Sequence, residues 1–362
     1  MATQNRYFLY FLLSFFNNHY PSKSSQLIHV FHGRRTPSIL YKVENEQLFP
    51  AFGLFKELKK EHLEHYLQTL SSKNLLQGSE EDGYLLTSLG YKALTQYFEN
   101  KKYPEAIRSL ENATLRNSFY LQIQLVSQIF SEKRYDNKKY SPSIKEPIDQ
   151  ESVKEWLSKQ KTPMDQLALQ WATELYDLLL MFTEEEASMI VGKLTGHDII
   201  GKTNRQLAES LEMESVELNV RLNDTFEQLI IQAKASEGLL LNDFVAYLDQ
   251  RTYFGLSKST YDTYLMINEG HSVERISEIR QLKLNTIREH ILEIYLIHPG
   301  FNIQPYIPAD QYERLNSAFE QNPKYSYKQA KQDHEDLMFM WFRLVEIERI
   351  RYGRENTRAN TL

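Results

Sequence analysis

The sequence predicts an all-α protein, a multi-domain chain of helix-turn-helix modules with one small β-hairpin wing in its N-terminal domain. Three observations predict it. Glycine and proline are sparse, 13 and 11 in 362 residues, which favours long uninterrupted helices. Apolar residues recur at helical spacing through most of the chain, and capping residues punctuate them. The exception is 75–87, where two short apolar pieces flank a polar turn ending in Asp82-Gly83, a hairpin signal.

The most apolar stretch near the start is 7–16. It is too short to span a bilayer, which takes about 20 residues. It also lacks the strongly basic front and small-residue cleavage site of a leader, so it reads as a buried first helix, with an interfacial anchor as the alternative. Helices are expected at 5–17, 24–32, 37–46 and 56–73, with Pro37 behind Thr36 as a first-turn proline. The hairpin and a helix from Ser88 follow, which is the order of a winged helix. Helices at 104–110 and 115–132 close this unit.

The clearest break runs over 134–149. It holds Asp136, Asn137, Pro142 and Pro147, with Lys133, Arg134, Lys138 and Lys139 around it, and reads as a basic linker or exposed loop. Beyond it, Thr162-Pro163 opens a helix to Phe182, with Trp171, Leu175 and Leu178 at helical spacing. Thr183 and Glu186 form a capping box. Helices are expected at 203–211, 214–234 and 237–250.

In the C-terminal part, Ser259 can cap a helix ending at Gly270, and Ser272 can cap a second with Val273, Ile276 and Ile279 inward. The turn 281–284 leads to a third helix with Ile287, Ile291 and Ile294 inward, stopped by Pro299-Gly300. Short helix, tight turn, longer helix is the helix-turn-helix plan. A last helix is expected over 327–351, capped by Ser326 and Gln329. Its centre, 337–342, is apolar on every side and needs burial on more than one face, in its own domain or against a partner. Arg343, Arg349, Arg351, Arg354 and Arg358 extend from it as a modest anion-facing patch or a solvated end. The expected division is therefore 1–133, winged-helix-like; 134–150, linker; 151–254, middle helical domain; and 255–362, C-terminal domain.

The run 260–265 together with Glu269-Gly270, Ser272, Ile276, Arg280, Leu282, Thr286-Ile287 and His290 resembles the helix-turn-helix segment at the C-terminus of some RecQ-type helicases. The likeness continues through 301–303, 306–308 and Ser326-Tyr327, and covers roughly 257–332. In the turn, Lys283 or Leu284 stands where a small capping residue is usual. With this segment last and no helicase motor, the chain is identified as a member of the YpbB family of Gram-positive bacteria. That resemblance implies a protein encoded beside a RecQ-type helicase, with an accessory role. A second stretch, 201–211, resembles the helix-turn-helix of sigma-factor region four, with its turn at 212–215. The helix after it carries Glu214, Glu217, Asp224 and Glu227 against Arg221 and Lys234, an acidic face that opposes phosphate contact and suits packing against protein.

Composition excludes several chemistries. Cysteine is absent, so there are no disulfides, thiolate nucleophiles or cysteine-ligated zinc, and a reducing cytoplasmic compartment fits. The formal charge is −6, so a DNA surface must be a local patch. His29 with His32, and His62 with His65, stand at i, i+3 spacing. Nothing completes a metal site around either pair, and no metal or other cofactor is expected. No Ser-His-Asp order appears, and Glu184 to Glu186 read as a capping turn, so no catalytic site is expected. Gly196, Gly201, Lys202 and Thr203 match the P-loop string. A P-loop needs a preceding strand, and 183–194 reads as a helix, which leaves nucleotide binding a weak alternative.

The function expected is a non-catalytic adaptor in DNA metabolism that binds a RecQ-type helicase. DNA backbone contacts are expected from Arg34, Arg35, Lys133, Arg134, Lys138 and Lys139. Contacts at the start of the third C-terminal helix are expected from Lys283, Asn285, Thr286 and Arg288. The segment 37–46, led by Arg34 and Arg35, is the most basic candidate recognition helix of the three, while the wing carries Glu80, Glu81 and Asp82. A dimeric transcription regulator and a pure protein scaffold remain open beside it. No membrane partner is expected.

Overall fold

The computed structural model describes residues 6–359, with side chains described through Gly353. The protein is all-α apart from one hairpin. It divides into two compact units, Met1–His32 with Pro50–Gly255, and Gly33–Phe49 with Leu256–Leu362. This grouping differs from the division expected above. The segment 33–49 leaves the N-terminal unit and joins the C-terminal one, and the N-terminal and middle parts form one body.

In the first unit, α1 (Arg6–Leu13) buries Tyr7, Phe8, Phe11, Leu12 and Leu13, and α2 (Ser24–Phe31) buries Leu27, Ile28, Val30 and Phe31. The next helix in the chain, α3 (Pro37–Glu46), belongs to the second unit. Then come α4 (Lys60–Ser72), β1 (Leu76–Ser79) and β2 (Gly83–Leu86). The strands are antiparallel, with Leu76 opposite Leu86 and Ser79 opposite Gly83. Ser22 and Tyr84 exchange both backbone hydrogen bonds, 3.0 and 2.9 Å, beside the hairpin. The helix directly before the wing is thus α4, and α3 does not occupy the recognition position that its basic lead suggested.

After the hairpin, α5 (Ser88–Phe98) is capped by Thr87, whose hydroxyl accepts from the Gly90 amide. The expected helix at 104–110 does not form. The amides of Ala106 and Ile107 donate to the Asp224 carboxylate, at 2.7 and 3.2 Å, which holds the stretch as irregular chain. Next are α6 (Ala113–Arg134), α7 (Pro147–Lys159), α8 (Met164–Leu179), α9 (Glu184–Val191), α10 (Asn204–Ser210), α11 (Ser215–Ala235) and α12 (Leu240–Arg251). The sequence reading missed α7, which starts at the proline taken as part of a linker. The stretch before it is not free chain. Gln128 of α6 donates to the Ser141 carbonyl and accepts from the Ser143 amide, and Ile144 is buried.

The core of this unit gathers Phe119, Ile123, Trp156, Trp171, Phe226 and Phe244 from α6, α7, α8, α11 and α12. The acids on α11 are interior. Glu217 pairs with Lys101 at 2.9 Å, Glu227 with Arg116 and Asn112, Asp224 with the amides just named, and Arg221 with Glu185. Glu214 accepts from the Tyr7 amide at the start of α1, where an anion suits the helix dipole. Burial raises the carboxyl pKa of Asp224 and Glu214 despite these donors. The module resembling sigma-factor region four is therefore a packing unit, and its second helix is enclosed.

In the second unit, α3 joins α13 (Lys258–Asn268), α14 (Val273–Arg280), α15 (Leu284–Ile297), α16 (Ala309–Gln321), α17 (Tyr327–Asp333) and α18 (Phe339–Ala359). The expected single helix over 327–351 is two helices. The Ser326–Gln329 capping box is present, but His334 is extended and Lys331 reaches the Glu335 and Leu337 carbonyls, ending α17. Met340, Phe342, Leu344, Val345 and Ile347 of α18 are buried within this unit, with Phe342 against Phe319 of α16 at 5.2 Å.

The Gly90→Ala variant tests the contact between α5 and the hairpin. A Cβ at Gly90 would lie 2.1 Å from the Leu75 carbonyl oxygen. Helix propensity alone favours alanine by about 1 kcal/mol, whereas the clash costs roughly 1–3 kcal/mol. Denaturant unfolding should show net destabilisation; a stabilised variant would remove the contact from the account.

Candidate nucleic-acid interface

The helix-turn-helix forms from α14, the turn 281–283 and α15. Ser257 caps α13 through the Thr260 amide, two residues earlier than expected, and Ser272 caps α14 through the Arg275 amide. Gln281 takes the left-handed conformation that ends α14. The turn is closed by the Leu282 amide to the Ser277 carbonyl at 3.1 Å and by the Ser277 hydroxyl to the Leu282 carbonyl at 2.6 Å. Ile276, Ile287, Ile291 and Ile294 are fully buried, as their spacing predicts. Ile279 was expected inward and is exposed. It shares the Ile276 side of α14 but lies in the last turn, just before the chain leaves the helix at the left-handed Gln281.

Lys283 occupies the N-cap of α15 without a side-chain cap bond. Lys283, Leu284 and Asn285 are exposed, Thr286 and Arg288 are half-buried, and Arg288 donates to the Asn285 side chain at 3.0 Å. From His290 to Ile297 every residue is buried. Only the first turns of α15 are therefore available to a groove, which is the part a recognition helix uses.

Three attachments fix α15. Glu293 accepts from the Ser257 amide at 2.9 Å, from the Ser257 and Thr260 hydroxyls, and from Arg35 at 3.1 Å. Arg351 of α18 donates to the Tyr295 and Leu296 carbonyls at the C-terminal end of α15 and pairs with Glu44 of α3 at 2.9 Å. His290 meets the Thr263 hydroxyl at 2.7 Å. Burial and the neighbouring Arg280 push the His290 pKa down, so the neutral ring is the folded form.

The expected contact residues separate on this frame. Lys283, Asn285, Thr286 and Arg288 share one end of α15. Arg35 belongs to the same unit but is tied to Glu293, so it positions α15. Arg34 is exposed. Lys133, Arg134, Lys138 and Lys139 lie in the other unit, on the end of α6 and the loop after it. Lys133 is 3.4 Å from Asp165, and Arg134, Lys138 and Lys139 are exposed. On α18, Arg343 stacks on Tyr41 at 3.5 Å, and Arg349 reaches Asn316. With Arg351 also engaged, these three form no open anion-binding patch. The side chains of Arg354 and Arg358 lie outside the described residues.

The stretch matching the P-loop string does not build a phosphate cradle. It follows a helix, α9, and folds as a tight turn with Gly196 and Ile199 exchanging backbone hydrogen bonds. The amides of Gly196, His197, Ile199, Gly201, Lys202 and Thr203 all have partners within the protein. Gly201 is there because a Cβ would lie 2.4 Å from the Lys193 carbonyl. Thr203 caps α10, and Lys202 is exposed.

Residues 259–346 match a helix-turn-helix domain family. The chain is also 27% identical over 289 residues to Protein YpbB of Bacillus subtilis (strain 168), covering 79% of this chain and 81% of that protein. The chain is thus similar to this protein over most of the length of both. No solved structure matches. The helix-turn-helix match spans α13 to the first turns of α18, so α16 and α17 fall inside it, while Arg351 and the segment 33–49 that clamp α15 lie outside it. Sequence reading missed Glu293 as the organiser of the site. The available signal was a lone carboxylate inside the apolar run 291–297. Among the described residues, no helix is long and apolar enough to cross a membrane.

Two outcomes follow from this geometry. Glu293→Ala removes the buried acceptor for four donors, Arg35 among them, so it should destabilise the second unit by about 3–5 kcal/mol, read by denaturant unfolding. His290 has a depressed folded pKa, so the unfolded chain binds the proton more tightly. Stability is then full above the ordinary histidine value of about 6.5 and falls as pH drops below it. The Tm should fall between pH 7 and pH 5, and by less in His290→Gln.

Proposed function

We propose that this protein is a non-catalytic adaptor in DNA metabolism that binds a RecQ-type DNA helicase and presents the first turn of α15 to DNA. The observation that carries the DNA part is the contrast along α15: an uncapped N-terminus with Lys283, Asn285 and Arg288 at one end, and complete burial at the other. The helicase part is supported by the likeness of 257–332 to the C-terminal segment of such helicases. The chain would supply in trans a module that longer helicases carry in cis. Arg34 and, from the other unit, Arg134, Lys138 and Lys139 are candidate backbone contacts. Arg35 is withdrawn from that list because it pairs with Glu293.

The α15 site offers two cations and adjoining carboxylates, so its DNA binding should be weak and only modestly salt-dependent. With two phosphate contacts, log K against log salt should have a slope of about −2. The double variant Lys283→Ala/Arg288→Ala should flatten that slope and weaken binding to all sequences alike. Fluorescence anisotropy with single-stranded, duplex and forked DNA measures both. Co-purification with the cognate helicase, followed by unwinding with and without this chain, tests the adaptor role. Recovery of no helicase at micromolar concentrations would defeat that role, and an unchanged slope in the double variant would remove α15 from the DNA contact.

A further inference from the structure

The helix α8 is apolar on two sides, and only one is covered. Leu167, Ala168, Trp171, Leu175 and Leu178 are buried in the first unit's core. On the opposite side, Leu169 is 57% exposed, Tyr176 63% and Leu180 66%, with Met181 63% exposed just past the helix end. Leu169, Ala172, Thr173, Tyr176 and Leu180 recur at i, i+3, i+4, i+7 and i+11, which is one continuous stripe. A solvated helix face ordinarily carries charges of both signs.

The charge carried by this segment of chain has one sign. Residues 162–192 hold six carboxylates and no lysine, arginine or histidine, as much negative charge as the formal −6 of the whole chain. Glu174 is spent inside, accepting from the Leu240 and Leu241 amides, Glu186 pairs with Lys102, and Glu185 with Arg221. Asp177 and Glu184 stay exposed, Asp177 next to Tyr176 within the stripe, and Asp165 is 73% exposed although Lys133 approaches it.

We infer that this face of α8 is a docking site for a basic amphipathic helix of a partner protein. Such a helix would lay its leucine-like face along Leu169, Tyr176 and Leu180 and set its lysines or arginines against Asp165, Asp177 and Glu184. Charge complementarity selects this occupant. The phosphates of a nucleic acid or an anionic lipid surface would meet carboxylates, and a second copy of the same face would meet its own negative charge. The inference does not depend on the identity of the helicase or on the DNA contact at α15.

The probe is an 18-residue leucine–lysine amphipathic peptide, with a glutamate-for-lysine version as control, titrated by anisotropy into the full chain. The lysine peptide should bind, the glutamate peptide should not, and binding should weaken as salt rises. Tyr176→Ser/Leu180→Ser should weaken it at least tenfold. Leu89→Ser/Tyr91→Ser, at exposed apolar residues of α5 on the same unit, should leave it unchanged. All these positions are exposed, so circular dichroism melts should match wild type. Equal binding of the lysine peptide by wild type and Tyr176→Ser/Leu180→Ser overturns the inference, as does equal binding of the two peptides. A wild-type dimer in sedimentation velocity that Leu180→Ser converts to monomer overturns it in favour of a second copy.

Discussion

The constraint on which the C-terminal unit depends is that the second half of α15 is enclosed on all sides. A helix buried all round cannot rotate or slide to suit a ligand, so whatever its first turn presents is presented in a fixed orientation. The enclosure has a polar element: the Glu293 carboxylate sits among apolar neighbours and is satisfied by Ser257, Thr260 and Arg35. A buried charge with its partners in place fixes register more than it adds stability. The contacts run to the cap of α13 and to the segment leading into α3, so one side chain sets the positions of three elements. Arg351 does the same at the other end, satisfying carbonyls that α15 leaves open at its C-terminus.

The same economy of charge shapes the first unit. Its long helix α11 carries acids that a reader of sequence places on a solvent face, yet each is buried and each meets a cation or a backbone amide from another segment. These pairs connect α11 to α1, to the stretch 101–107 and to α6. Carboxylates used as interior struts add nothing to the surface potential. The negative charge that does reach the surface includes the exposed acids of α8 and α9, where it accompanies an uncovered apolar stripe. Sequence charge is therefore a poor map of surface charge in this protein, and burial decides which acids a partner would meet.

Much of the fold was legible in the sequence. The bounds of α3, the hairpin, the start of α5, the capping boxes at Thr183 and Ser326, and the inward isoleucines of α15 all follow from local rules of capping and periodicity. The misses lie where a side chain engages backbone that periodicity does not assign to it. At 104–110 two amides go to Asp224, more than a hundred residues away in sequence, and the break between α17 and α18 falls where Lys331 reaches carbonyls four and six residues on. The basic loop reading at 134–149 overlooked α7 because proline at a first helical turn and proline in a linker look alike without the core that Val153 and Trp156 enter.

By itself the sequence determined the helical class, the single hairpin, the order of the helix-turn-helix at the C-terminus and the residues at the start of its last helix. Each of these is set by interactions within a few residues, which the chain carries wherever it goes. Tertiary structure alone decided that α3 serves the C-terminal unit, that Arg35 holds α15 in place, that the helix resembling sigma-factor region four is interior, and that most amides of the string around Lys202 are taken up within the protein. Those outcomes turn on which distant donor reaches which acceptor once the core closes, and composition and spacing do not encode that choice locally.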